Sequence, residues 1–199
     1  MIACIRAAHR LLGVALDLGR PRRRREHAGR HARGIDVDDL EIHLEGLVQC
    51  SSSTLPRVPS EPPPIDPAWL DRILRRFADG TLPPSEFGHR AHLVIALSHA
   101  RSFGDDALVI LRAALREYLM RHAGDTRAYH ETMTAAWLRL IDVFDRPHRT
   151  LALVEAAARL VARFPDKHAL AAHYTTERLM SDAARARWLD PDLAPLPGR

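Results

Sequence analysis

"AYHETMTAAWLRLIDVFD", residues 128–145, decides the fold. His130, Met133, Thr134, Trp137, Ile141 and Phe144 recur at three- and four-residue intervals, the repeat of one face of an α-helix. A strand would place alternate residues on one face, and no such alternation runs through the stretch. Pro147 closes it, because a proline ring carries no amide hydrogen and cannot continue a helix.

The same period returns on both sides. "DPAWLDRILRRFADG" (66–80) places Trp69, Leu70, Ile73, Leu74 and Phe77 on one stripe, with Asp66 and Pro67 as a start and Gly80 as a stop. After Pro83 and Pro84 a second helix is predicted from about Ser85 to Arg101. "DDALVILRAALREYLMRHAG" (105–124) turns Ala107, Leu108, Leu111, Ala114, Leu115, Tyr118 and Leu119 inward. "RTLALVEAAARLVARFPD" (149–166) is another helix, and "KHALAAHYTTERLMSDAARARWL" (167–189) supplies one or two more before "DPDLAPLPGR". No segment alternates at period two for long enough to require a sheet. The expected fold is all-α, a single helical bundle of about six helices over residues 65–197 joined by short turns.

Residues 1–64 read differently. All 11 aromatic residues lie from Trp69 to Trp188, so the first 68 positions contain none. A segment of that length without a ring is poorly equipped to build its own core. It holds the run Arg22, Arg23, Arg24 and Arg25 and ends in the proline-rich "STLPRVPSEPPPIDP" (53–67). The expectation is a disordered Arg/Pro-rich extension and linker, or a stretch upstream of the true start of translation. Cys4 and Cys50 both fall there, outside any CxxC or Cys/His ligand spacing, which excludes a disulfide framework and a zinc knuckle.

Charge narrows the functional classes. Residues 1–60 carry ten Arg against seven acidic residues, a balance of +3 out of the total +4, so the helical part is nearly neutral. An Arg-rich arm can contact phosphates, but the domain shows no recognition helix with clustered basic residues, which weighs against nucleic acid as a partner. The apolar run at the N-terminus is interrupted by Arg6, His9 and Arg10, too broken for a membrane span or a secretion signal. A cytoplasmic bacterial protein is expected. The spacings carry no statement about self-association.

"SEFGHRAHL" (85–93) brings in the chemistry. Positions three apart on a helix point within about 60° of each other, so His89 and His92 share a face and Glu86 extends it into an E-x-x-H-x-x-H row. His130 points inward from the 128–145 helix, and Glu131 lies about 100° to its side. Neutral imidazoles with a carboxylate on facing helices are a known way to hold zinc or iron, and an open coordination position would then activate water. The expected ligands of such a divalent transition metal are His89, His92 and His130. Glu86 or Glu131 is the fourth ligand or the catalytic base, and Tyr129, Thr134 and His173 are candidate substrate contacts in a pocket between helices. No HExxH motif supports this set. Each residue also has a plainer role: hydrogen-bonded histidines at packed interfaces, Glu86 complementing a helix dipole, Glu131 pairing with Arg127, Tyr129 and Trp137 in the core. The Y-H-E-T group still needs partners, because a buried polar group left without one costs about 1–3 kcal/mol.

Three stretches, Phe87–Leu93, Tyr129–Thr134 and Trp188–Leu193, together resemble those of a family of small all-helical bacterial proteins with F-x-H-x-x-H-L, Y-H-E-T and W-x-x-P-D-L stretches. The resemblance spans roughly residues 69–197. It implies that the helical domain is a unit and the extension peripheral, and it brings no activity, cofactor or substrate. Three functional readings follow from the sequence. The first is a metal-dependent enzyme, hydrolytic or oxidative, acting on a small molecule. The second is a non-catalytic helical ligand-binding or structural protein whose histidines form a polar core network. The third is a nucleic-acid-binding or regulatory protein using its Arg-rich arm.

Overall fold

A computed structural model of the protein describes residues 64–198, and the expectations for residues 1–63 lie outside the described residues. Among the described residues there are seven α-helices and no strand, so the all-α expectation holds. Five are long: α1 (Pro67–Ala78), α2 (His89–Phe103), α3 (Ala107–Ala123), α4 (Glu131–Asp145) and α5 (Leu153–Arg163). Two are short, α6 (Thr176–Leu179) and α7 (Asp182–Ala186), and 3₁₀ turns occupy Pro84–Glu86, Gly104–Asp106, Arg146–His148 and Lys167–Ala172. None of these helices is long and apolar enough to cross a membrane.

Helix α2 is the axis of the bundle. Leu93, Val94, Ile95, Ala96, Leu97 and Ser98 are six consecutive buried residues, and a helix buried all round must be enclosed by others. It packs against α1, α3, α4 and α5. The α1 stripe is as predicted: Leu70, Ile73 and Phe77 are buried, with Trp69 and Leu74 packed beside them. Asp66 caps α1 by accepting from the Trp69 amide at 2.7 Å, an interaction that stabilises a helix start by about 1 kcal/mol. Gly80, at φ +66, makes the turn after α1; a side chain there would be strained and would collide with the Arg121 side chain.

A buried ion pair joins the far ends of α2 and α4. Arg101 donates to both carboxylate oxygens of Asp145 at 2.6–3.1 Å and to the carbonyls of His148 and Leu151 at 2.8 and 2.9 Å. Asp145 is 1% exposed. A charge that deep is tolerated only when paired and fully hydrogen-bonded, and here the guanidinium also ties down two carbonyls of the turn that follows α4.

Two boundaries differ from expectation. Helix α2 starts at His89 rather than near Ser85, because Gly88 is extended (φ −81, ψ −177) and Phe87 is non-helical. Residues 167–189 form a 3₁₀ turn and two short helices, each started by a hydroxyl cap, Thr175 and Ser181. The C-terminal segment is then tied down residue by residue: Thr175 holds the Asp192 carboxylate, Tyr174 donates to the Leu189 carbonyl, and Arg139 donates to that of Pro197.

Candidate functional site

His130 is not a helical residue but the N-cap of α4, with extended φ −132 and ψ 104. Its Nδ1 accepts from the Met133 amide at 3.2 Å, and its Nε2–H donates to the Leu179 carbonyl at 2.8 Å. Both ring nitrogens are therefore engaged by backbone, in a neutral ring whose pKa burial pushes below the ordinary histidine value. His89 donates Nε2–H to the Phe164 carbonyl at 3.1 Å and lies edge-on to Trp137. His92 donates Nδ1–H to the Gly88 carbonyl at 2.9 Å and packs on Phe87. The protein around His92 lowers its pKa, though solvent at its exposed edge weakens that push.

The same pattern extends to His99, His148 and His173, which donate to the carbonyls of Ile95, Phe144 and Ala194 at 2.7–3.0 Å. Six histidines thus each hold a backbone oxygen. Among the described residues no three His, Cys, Asp or Glu side chains gather where they could hold a metal ion. The expected ligands His89, His92 and His130 hold three different backbone carbonyls and are not gathered into one such group.

The carboxylates separate as well. Glu86 lies in the 3₁₀ turn before α2, not on its first turn, and pairs with Arg76 at 2.9 Å and Arg72 at 3.3 Å; the E-x-x-H-x-x-H row is interrupted by Gly88. Glu131 is buried rather than sideways. It is bound bidentately by Arg112, not Arg127, and accepts from the Tyr129 hydroxyl at 2.9 Å. Arg127 pairs with Asp125 instead. Thr134 donates to the His130 carbonyl at 2.8 Å, and Thr132 donates to the Arg187 carbonyl at 2.7 Å while accepting from the Leu189 amide at 3.0 Å. Of Y-H-E-T, His130 and Thr132 find partners in the C-terminal segment, while Tyr129 and Glu131 pair with each other and with Arg112.

A cavity lies elsewhere, between α1, α2 and α3. Phe77, Ser98, His99, Phe103, Ile110, Ala114 and Tyr118 line a volume of about 50 Å³, and Ser102, Glu117 and Arg121 stand at its exposed side. Tyr118 is 5% exposed, and its hydroxyl has no hydrogen-bond partner among the described residues. Burial pushes its pKa up to about 12, so the group stays a protonated donor. His99 spends its Nδ1–H on Ile95, which leaves Nε2 an acceptor in a ring that burial keeps neutral. The walls are aromatic: the Phe77 ring centre lies 5.9 Å from that of Tyr118 and the Phe103 ring centre 5.6 Å from that of His99, while Phe87, outside the cavity, packs on Tyr118 at 4.2 Å.

Tyr118 lies on the inward stripe of α3 that the periodicity predicts, but nothing in its spacing, or in that of His99, marks a binding role. Neither residue's hydrogen-bonding state is visible in a spacing. No family model matches the chain, and no curated protein and no solved structure shows significant similarity to it.

Proposed function

We propose that the helical domain is a non-catalytic binding protein for a small neutral molecule, held in the cavity between α1, α2 and α3. The observation that carries this reading is the buried, unpartnered Tyr118 hydroxyl beside that cavity. Native proteins pair nearly all buried polar groups, and an exception calls for a partner beyond the described residues, which a ligand would supply. A volume of about 50 Å³ holds a few water molecules or a few ligand heavy atoms. The open side at Ser102 and Arg121 leaves room for the remainder of a larger ligand. The recognition chemistry is a ligand that accepts a hydrogen bond from Tyr118, donates one to His99, and is otherwise apolar against Phe77, Phe103 and Ile110.

The other five histidines belong to the scaffold in this reading, each holding a backbone carbonyl. A hydrolytic or oxidative metal enzyme has less support, because both ring nitrogens of His130 are engaged by backbone and no three His, Cys, Asp or Glu side chains gather into a metal-binding group among the described residues. The test is an amide-resolved NMR titration with propionamide, a small molecule with one acceptor and one donor. Shifts that saturate and concentrate at Ser98, His99, Ala114 and Tyr118, and that weaken at least fivefold in Tyr118→Phe, support the proposal. Shifts spread over the surface, or unaltered by that substitution, refute it.

A further inference from the structure

A second groove opens between α3 and the end of α7, with a volume of about 280 Å³ and walls of Arg112, Arg116, Glu131, Ala186, Arg187 and Trp188. Three arginines and one glutamate line it, a surplus of two positive charges among the lining residues. Arg112 is occupied by Glu131. Arg116 lies over the face of Tyr129, its guanidinium carbon 4.7 Å from the ring centre, and neither it nor Arg187 has a carboxylate partner among the described residues. Such charges at a protein surface concentrate anions, and the planar guanidinium fork matches the oxygens of a phosphate.

The walls are held in place by one short stretch of sequence. Tyr129 carries Arg116 on its ring and donates to Glu131; Glu131 binds Arg112; Thr132 grips the backbone on both sides of Trp188, through the Arg187 carbonyl and the Leu189 amide. The Trp188 indole is itself fixed by Nε1–H donating to Asp190 at 3.0 Å. A binding surface whose charged and aromatic parts are immobilised beforehand loses less entropy when a ligand arrives. This accounts for four polar residues opening a helix where a single cap would suffice.

We infer that this groove binds a phosphate monoester carried on a flat ring. The phosphate, with a charge of about −1.5 to −2 at neutral pH, sits on Arg116 and Arg187, and the ring lies against Trp188. The site is independent of the cavity between α1, α2 and α3, and either can fail without the other.

Isothermal titration of the full chain with phenyl phosphate, in dilute phosphate-free buffer, tests it. One saturable site is expected. Inorganic phosphate binds more weakly for want of the ring, and phenol produces no saturable heat. Arg116→Ala and Arg187→Ala each lower affinity tenfold or more with the helical circular dichroism intact, and Arg116→Lys retains part of it. Tyr118→Phe leaves the titration unchanged. Absence of saturable binding by phenyl phosphate, or affinities equal to the parent protein in both alanine variants, overturns the inference, as does inorganic phosphate binding equally well with and without the two arginines.

Discussion

Tyr118→Phe removes one oxygen atom and should make the unliganded protein more stable. In the folded chain the hydroxyl is buried, with no partner among the described residues; in the unfolded chain it bonds to water. An unpaired buried hydroxyl costs about 1–3 kcal/mol, and deleting it recovers that amount while the ring contacts with Phe87 and Phe77 persist. A water reaching the group from the cavity would offset part of the cost, so a gain of about 1 kcal/mol is the working value. For a domain of this size that raises Tm by about 3–5 °C. Urea denaturation at pH 7.5 should show a higher midpoint with an unchanged slope, since the exposed surface on unfolding hardly changes. The same variant should bind propionamide less well, so stability and binding move in opposite directions. A loss of 1 kcal/mol or more on this substitution would mean that the hydroxyl has a partner within the protein, and the reasoning for the cavity would fail.

Arg101→Ala strands the Asp145 carboxylate, which is 1% exposed, and should destabilise the domain by about 3–5 kcal/mol; denaturation showing less than 1 kcal/mol would mean that Asp145 is rehydrated. His130→Ala removes the α4 cap and the bond to Leu179, for an expected loss of about 1–3 kcal/mol. His130→Asn, which can restore the cap, should recover part of it, and the parent Tm should not change with zinc or with chelator. Both His99 and His130 have lowered pKa values in the fold, chiefly through burial. Between those values and about 6.5, the unfolded value, the unfolded chain binds more protons. Their contribution is thus complete above pH 6.5 or so and is lost as pH falls through the lowered folded values, and a Tm that stays flat or rises from pH 7.5 to 5 would contradict it.

The helices were legible because their apolar stripes are continuous: Leu70, Ile73 and Phe77 in α1, and Ala107, Leu111, Ala114 and Tyr118 in α3, are buried as their spacing requires. The start of α2 was not, because a helical pattern running back from His89 through Glu86 says nothing about the extended conformation of Gly88 between them. His130 misled for a related reason. Imidazole is an uncommon capping group beside Ser, Thr, Asp and Asn, and its position on the α4 stripe imitates an inward-facing helical residue. Once it is placed one step outside the helix, the chemistry of all four Y-H-E-T residues changes. A cap spends Nδ1 on an amide, the next residue turns its carboxylate to Arg112, and Thr132 reaches the chain on both sides of Trp188. The cluster that looked like half of a metal centre becomes the frame of a groove with surplus positive charge. The difference between the two readings is one residue of helix boundary, so the His130→Asn variant bears on function as well as stability. Asparagine can cap α4 but cannot supply an imidazole, and if it preserves phenyl phosphate binding while alanine weakens it, the role of His130 is to set the geometry of the residues that follow.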